Sequence, residues 1–140
     1  MKKLLILPLI VMIAGFKLNE WRTIHTSSGV RIESKTADCN LDNSFKQRWF
    51  LLKFSNSTTS KLKVEWDLEL KDESGKCVTC SESATEYHYA IELNPMEIKQ
   101  GECKINCAKE LRIISKLLDV KTSMSYPDFE LKNIKVSAIK

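Results

Sequence analysis

Residues 61–71 alternate strictly between charged and apolar side chains, and this pattern constrains the fold more than any other feature of the chain. The odd positions are all Lys, Glu or Asp, and the even positions are Leu62, Val64, Trp66, Leu68 and Leu70. Successive side chains of a β-strand point to opposite faces, so a period of two is typical of a strand with one buried face. The chain must therefore build a sheet that covers a core on one side.

Other alternating or apolar runs predict further strands, separated by polar clusters and by turn-forming pairs such as Asn94-Pro95. These strands cover residues 20–26, 30–36, 47–54, 87–93, 97–103, 111–118 and 129–138. Residues 47–54 are apolar on both faces, which favours a central strand covered on both sides. We expect Trp49, Phe50 and Trp66 to fill the core between two sheets.

The final strand changes the phase of its alternation. Leu131 is at an odd position, whereas Ile134 and Val136 are at even positions. One extra residue must be absorbed between them, and a β-bulge absorbs one residue. We therefore predict a bulge near Lys132 and Asn133.

Residues 106–119 fit either a helix or a strand. Cys107, Leu111 and Ile114 recur at helical spacing, and Asn106 is a suitable helix cap. Against this, two adjacent isoleucines favour a strand, and the last strand of a sandwich needs a partner. We predict a strand over 111–118, with a helix in 106–119 and an α+β class as the alternative.

About seven to eight short strands without βαβ alternation predict an all-β fold, an immunoglobulin-like antiparallel β-sandwich, as one domain over residues 17–140. A length of 140 residues suits one domain of this size. The four glycines lie too far apart in sequence to form a phosphate-binding loop, which excludes the common nucleotide-binding motifs.

The first sixteen residues predict export. Lys2 and Lys3 precede an uncharged, apolar stretch over 4–16, which is shorter than the ~20 residues of a membrane-spanning helix. We predict a signal peptide over 1–16 and a secreted or periplasmic protein. The small-residue cleavage pattern around Ala14 and Gly15 is poor, so an uncleaved membrane anchor is the alternative.

The charge balance argues against nucleic acid as a partner. Removal of Lys2 and Lys3 leaves 20 of the 22 basic residues against 18 acidic ones, spread along the chain. Nucleic-acid binding requires clustered basic side chains that neutralise phosphates. We expect an unknown protein or envelope component as the partner, with membrane contact only through an uncleaved N-terminal segment. The sequence does not indicate an oligomeric state.

The five cysteines are the strongest candidate for a functional constellation. Counting strand reversals places Cys39, Cys77, Cys80, Cys103 and Cys107 at one end of the sandwich. An oxidising compartment favours disulfides, and five cysteines leave at least one unpaired in a monomer. We predict disulfides Cys39–Cys103 and Cys77–Cys80, with Cys107 as the free thiol. The long loop closed by the first is worth roughly 4 kcal/mol in chain entropy.

Two alternatives for the cysteines remain open. Cys77, Cys80, Cys103 and Cys107 could supply four thiolates to a structural zinc ion, although the spacing of the second pair is unusual. Cys77 and Cys80 could instead act in thiol–disulfide redox chemistry, which needs a helix N-terminus beside the pair in a thioredoxin-like context. The sequence shows no such context.

Several short motifs resemble those of a known group of proteins. They are Gly29-Val-Arg-Ile, Asp38-Cys39, Cys77-Val-Thr-Cys80, Leu93-Asn-Pro, Gly101-Glu-Cys103 and Phe129-Glu-Leu-Lys-Asn-Ile134. In these pieces the chain resembles short, uncharacterised, exported immunoglobulin-like sandwich proteins of Bacteroidetes-type bacteria. The resemblance implies an envelope location and no known activity.

The remaining motifs carry little chemistry. His25 and His88 are the only histidines and belong to no metal motif, and no G-x-S-x-G elbow is present. Asn56-Ser57-Thr58 matches an N-glycosylation sequon. We expect no catalytic residue, no metal and no cofactor, and hence a non-enzymatic binding or accessory module at the cell envelope. The alternative is a small cysteine-based redox or structural-zinc protein.

Overall fold

A computed structural model describes residues 19–41, 46–80, 86–121 and 124–140, so the predicted signal peptide at 1–16 lies outside the described residues. The strands are β1 (Arg22–Ser27), β2 (Val30–Asn40), β3 (Lys46–Asn56), β4 (Leu62–Lys71), β5 (His88–Leu93), β6 (Ile98–Gln100), β7 (Arg112–Leu117) and β8 (Asp128–Ala138). A short 3₁₀ helix, Lys109–Leu111, precedes β7. No helix in the described ranges is both long and apolar enough to cross a membrane.

The strands form two antiparallel sheets. The first has the order β1-β2-β3, with β6 and β7 both paired to the far edge of β3, and the second has the order β5-β4-β8. Their apolar faces enclose one core, which confirms the predicted antiparallel β-sandwich. The strand predicted over 111–118 is also confirmed, since β7 occupies residues 112–117 and pairs with β3.

Strand β4 lies at the centre of its sheet, with its alternation oriented as predicted. Each apolar residue of residues 62–70 is buried, and each charged residue between them is partly exposed. The Trp66 ring is 1% exposed and stacks on Phe54 of the opposite sheet, with ring centroids 4.9 Å apart. This contact joins the central strands of the two sheets through the middle of the core.

The predicted bulge in the last strand is confirmed. Glu65 of β4 pairs with Lys135, whereas Asp67, two residues further, pairs with Lys132, so β8 contains one extra residue. Asn133 absorbs it with a φ of 53°, a left-handed conformation that asparagine tolerates better than most residues. The bulge returns the apolar side chains of β8 to the core face on both sides of Asn133.

Strand β3 is covered on both faces, but not in the way expected for Trp49. Phe50 belongs to the core between the sheets, as predicted, whereas Trp49 lies on the outer face of the first sheet. There it packs against a second, smaller cluster formed by Ala37, Cys39 and Leu51. The expectation that Trp49 fills the main core was therefore wrong, because alternation along β3 sends it to the opposite face from Phe50.

The strand predicted over 97–103 is much shorter than expected. Strand β6 ends at Gln100, and the chain then leaves the sheet and returns to the same edge of β3 at Arg112. We call residues 101–111 the edge loop. Its two ends touch, because a Cβ atom on Gly101 would overlap the backbone carbonyl oxygen of Leu111. Only glycine permits this approach, so the loop closes on itself as an Ω-loop does.

Asn56, the first residue of the sequon, is buried and serves the fold. Its Nδ2 atom donates to the carbonyl oxygens of Ser60 at 2.8 Å and Asn94 at 3.0 Å, while its Oδ1 accepts from the amide of Thr58 at 2.9 Å. The residue is 2% exposed, so its amide is not accessible to a glycosyltransferase in the folded chain. It ties the end of β3 to the two turns beside it.

Candidate functional site

The structure joins Cys39 to Cys103 with a Cα–Cα distance of 5.4 Å, the pair expected from the sequence. Cys39 is on β2 and Cys103 is in the edge loop, which begins and ends on the far edge of β3. The disulfide therefore crosses over β3 and fixes the edge loop to the outer face of the first sheet. Cys103 reaches Cys39 from a loop and not, as the strand count assumed, from the end of a strand.

Arg112 fixes the edge loop a second time. Its guanidinium donates to the carbonyl oxygens of Lys104 at 2.8 Å and Ile105 at 3.4 Å. The same guanidinium lies over the ring of Trp49, 4.8 Å from its centroid. A cation over an aromatic face contributes about 0.5–1 kcal/mol at an exposed site, and the carbonyl contacts define the path of the loop backbone. The loop is thus held at its base, at Cys103 and along residues 104–105.

Cys107 is the free cysteine and is half-buried in the same loop. Its Sγ accepts a hydrogen bond from the amide of Glu102 at 3.4 Å. Backbone bonds from the Lys104 amide to the Glu102 carbonyl at 2.9 Å and from the Cys107 amide to the Lys104 carbonyl at 3.2 Å fold the segment back on itself. The free thiol therefore lies beside the residue that precedes Cys103.

Apolar side chains are exposed to solvent in the edge loop and close to its start in sequence. Ile105 in the loop and Ile98 on β6 are each 61% exposed, and Met96, before β6, is 67% exposed. Ile98 pairs with Ser55 at one end of β3, whereas the carbonyl of Ile105 accepts from Arg112, which pairs with Leu51. An exposed large apolar side chain on a fixed loop is a candidate anchor for a partner. Sequence analysis did not single out these residues.

Cys77 and Cys80 form the second disulfide, with a Cα–Cα distance of 5.6 Å, in the turn after β4. Between them, Thr79 is buried, and its hydroxyl accepts from the Leu70 amide at 3.0 Å and donates to the Leu68 carbonyl at 2.8 Å. The turn thereby forms hydrogen bonds with the end of β4, past the last residue of β4 that pairs with β5. This disulfide belongs to the second sheet, whereas Cys39–Cys103 belongs to the first.

The four cysteines considered as zinc ligands do not form a set of thiolates in this structure. Cys103 is bonded to Cys39, and Cys77 is bonded to Cys80, which leaves Cys107 alone. The carboxylate of Glu69 lies within 4.8 Å of the sulfur atoms of Cys77 and Cys80, but both sulfurs are committed to their disulfide. The described residues also contain no α-helix that could lower the pKa of a redox-active thiol at this pair.

His88 is held by two carboxylates on the outer face of the second sheet. Its Nδ1 lies 2.7 Å from Asp67 Oδ1, and its Nε2 lies 3.4 Å from Glu65 Oε1. The hydrogen bond to Asp67, and then the one to Glu65, raise the pKa of His88 above its usual value. Asn133 donates to Asp67 at 2.8 Å and, as the largest cause, lowers the pKa of that carboxyl. The group is exposed, which is typical of a network that ties β5, β4 and β8 together at the surface.

A cleft runs between the free edges β1 and β8 on one side of the sandwich. It consists of two adjoining cavities of about 310 Å³ each, which share Arg22, Asp128 and Phe129. Ile24 and Leu131 line the first of them beside charged residues. The cleft mixes apolar and charged groups of both signs, so its lining does not favour one ligand class.

Comparison with known proteins gives one structural similarity. A crystal structure of a DUF1425 family member from Shewanella sp. pv-4 is similar to this chain with a TM-score of 0.37 and 8% sequence identity. The similarity covers 90% of this chain and 95% of that chain. No family model matches the chain, and no curated protein matches it. The two disulfides of the structure are compatible with a periplasmic or extracellular location.

Proposed function

We propose that this protein is an exported, non-enzymatic binding module that recognises another protein of the cell envelope through the edge loop. The observation that carries the proposal is the combination of a doubly fixed loop and an exposed isoleucine, Ile105, on it. The Cys39–Cys103 disulfide and Arg112 hold the loop, while the Ile105 side chain is 61% exposed.

Rigid presentation favours binding. A loop that is already ordered loses little conformational entropy when a partner covers it, so more of the contact energy appears as affinity. An exposed isoleucine on such a loop is a suitable anchor for a pocket on the partner. The main core of the sandwich does not include Ile105, so burial in the free protein does not account for this side chain.

The proposed compartment follows from three features that agree. The uncharged stretch after Lys2 and Lys3 is typical of a signal peptide, and two disulfides suit an oxidising compartment. The resemblance to short exported proteins of Bacteroidetes-type bacteria supports the same location.

A non-enzymatic role is supported by the arrangement of the titratable groups. Among the described residues, the one histidine–carboxylate cluster with a raised histidine pKa, around His88, lies on a solvent-exposed sheet face, and Asp67 of this cluster borders an open cavity of about 180 Å³. Catalytic acids and bases are more often found in partly enclosed sites that exclude water. The exposure of the His88 cluster fits a recognition surface better than an enclosed catalytic site.

Site-specific photocrosslinking in envelope extracts tests the proposal. A photoreactive residue replaces Ile105 in the full chain, and the matched control carries it at Val78, which is 41% exposed in the other disulfide-closed turn. We expect one adduct of discrete mass from position 105 and none from position 78. Unlabelled wild-type protein should compete for this adduct at least tenfold better than an Ile105→Asp variant.

Two results would overturn the proposal. The first is the same set of adducts from positions 105 and 78, which would indicate non-specific contact. The second is equal competition by wild type and Ile105→Asp, because that would show that the edge loop does not determine binding.

A further inference from the structure

The edge loop contains two cysteines, Cys103 and Cys107, and a third cysteine, Cys39 on β2, is bonded to the first of them. Cys103 is bonded to Cys39, while the Sγ of Cys107 lies 3.4 Å from the amide nitrogen of Glu102, the neighbour of Cys103. Two backbone hydrogen bonds, from the Lys104 amide to the Glu102 carbonyl and from the Cys107 amide to the Lys104 carbonyl, make residues 102–107 a compact turn. Cys103 and the free Cys107 both belong to this turn.

The two sulfurs of the disulfide differ in accessibility. Cys39 is 2% exposed among Ala37 and Leu51, whereas Cys103 is on the exposed part of the loop. A thiolate that attacks this disulfide from within the loop therefore reaches Cys103. The leaving group is then Cys39.

We propose that the edge loop is a thiol–disulfide switch with a pinned state, in which Cys39–Cys103 is bonded, and a released state, in which Cys103–Cys107 is bonded. The Cys107 thiol loses its proton, and the thiolate attacks the sulfur of Cys103. A Cys103–Cys107 bond forms, the Cys39–Cys103 bond breaks, and the Cys39 thiolate takes up a proton. One disulfide and one thiol are present before and after, so the step needs no oxidant or reductant.

The packing favours the pinned state at rest. Release places the Cys39 thiolate, as it leaves, among apolar side chains, which disfavour the charge. Cys107 packs against the core between the sheets, so its side chain must leave that contact before it attacks Cys103. The attacking thiol nevertheless belongs to the same short segment as its target, so its effective concentration is in the millimolar range or above. Exchange is thus a rare event in the resting protein, and a partner that binds one of the two states can bias it.

The switch changes the outer face of the first sheet and does not depend on the proposed binding role. In the pinned state the Cys39–Cys103 disulfide crosses β3 and ties the loop to the small cluster. In the released state the loop is held only by its base and by Arg112, and Cys39 is a free thiol within that cluster. The location of the single free thiol, at Cys107 or at Cys39, reports the state.

Pulse alkylation of the oxidised, folded protein measures the two states directly. Wild-type protein is held at pH 6, 7 and 8 without added thiol, pulsed with a large excess of iodoacetamide, and mapped by non-reducing peptide mass spectrometry. We expect one label per chain, mostly on Cys107, with a fraction above about 1% on Cys39. Label on Cys39 should appear faster at the higher pH values, because the attacking species is a thiolate.

Two variants serve as controls. Cys107→Ser should take up no label, because Cys39 becomes free only by exchange with Cys107. Cys39→Ser removes the buried partner and should contain a Cys103–Cys107 disulfide and no free thiol. Circular dichroism on each variant shows that the sandwich is folded before its thiols are counted.

The proposal fails on any of three results. Label on Cys107 alone at all three pH values would show that exchange does not occur. Label on Cys103 would show a different rearrangement, in which Cys39 bonds to Cys107. Two free thiols in folded, oxidised Cys39→Ser would show that Cys103 and Cys107 cannot reach each other.

Discussion

Arg112 lies over the ring of Trp49 on the outer face of the first sheet, with its guanidinium carbon 4.8 Å from the ring centroid. From this position it donates to the carbonyl oxygens of Lys104 and Ile105, so one side chain connects β7, β3 and the edge loop. The contact is independent of the disulfide, which allows the two restraints on the loop to be separated by mutation.

Replacement of Arg112 by Ala should loosen the edge loop without unfolding the sandwich. Loss of the carbonyl contacts and of the cation–π contact should lower the free energy of unfolding by about 1–2 kcal/mol. Cleavage by the lysine-specific protease Lys-C after Lys104 and Lys109 should become several-fold faster. The control is Arg31→Ala, which removes an exposed arginine that pairs with Glu33 at 3.7 Å. Equal cleavage rates in the two variants would contradict the role assigned to Arg112.

Replacement of Trp66 by Ala should cost roughly 3–5 kcal/mol of stability, because it removes the largest buried side chain of the core. Denaturant unfolding measures the loss directly. The control Lys63→Ala changes the solvated face of the same strand and should stay within about 0.5 kcal/mol of wild type. A near-neutral Trp66→Ala would show that the phase of β4 is wrong.

Replacement of Asn56 by Asp should destabilise the protein by about 2–4 kcal/mol. The Nδ2 donor faces three backbone carbonyl oxygens, those of Ser60, Leu93 and Asn94, and a carboxylate there has no proton to donate. The control Asn94→Ala keeps the carbonyl that Asn56 contacts and should change the melting temperature little. If both variants melt together, the buried amide does not hold the two turns.

The His88 network should make stability depend on pH in a defined direction. Since the pKa of His88 is raised, chiefly by Asp67 and then by Glu65, its protonated form stabilises the folded state. This contribution is fully present below the unfolded value of about 6.5 and is lost as the pH rises through the higher folded value. The melting temperature of wild type should therefore exceed that of His88→Gln at pH 6 and approach it by about pH 9.

The expected effect of His88 is small, because its side chain is 44% exposed and therefore screened by solvent and salt. Addition of about 0.5 M salt should reduce it further. The control is Glu92→Gln, which removes an exposed ion pair to Lys61 on the same sheet and involves no histidine. The difference in melting temperature between Glu92→Gln and wild type should be the same at every pH between about 6 and 9.

Thiol titration should separate a disulfide protein from a metal protein. Native protein should react at one thiol, Cys107, and this count should not change when a chelator is added. Cys107→Ser should show none. Release of about four thiols by the chelator would support the zinc alternative and would contradict both disulfides.

Much of the sandwich could be predicted because a half-buried strand alternates between apolar side chains on its core face and polar side chains on its solvent face. The strict alternation in β4 fixes its inward face, and the phase change in β8 requires the extra residue that Asn133 accommodates. These are local consequences of a two-residue period. The inward face of β4 and the phase change in β8 can therefore be predicted without knowing which strands pair with each other.

The edge loop could not be predicted, because its shape depends on contacts between distant parts of the chain. Nothing in the order of residues 97–103 shows that β6 ends at Gln100, since the close approach of Gly101 to Leu111 decides it. The error over Trp49 is different, because the two-residue period already puts Trp49 and Phe50 on opposite faces of β3, so they could not both fill the main core. The contact between Arg112 and Trp49 could not be predicted either, because it depends on the register between β3 and β7.

The contact between Gly101 and Leu111 also affects how this sandwich can change. Strands β6 and β7 lie in line along one edge of β3, and the segment between them starts and finishes at nearly the same point. Residues 104–110 can be replaced by a longer or shorter segment without altering either register, provided that Cys103 keeps its bond to Cys39, since the cost of loop closure grows only slowly with length. Gly101 and Leu111 therefore mark the boundaries of an exchangeable cassette, into which a foreign recognition sequence can be grafted while the scaffold is left unchanged.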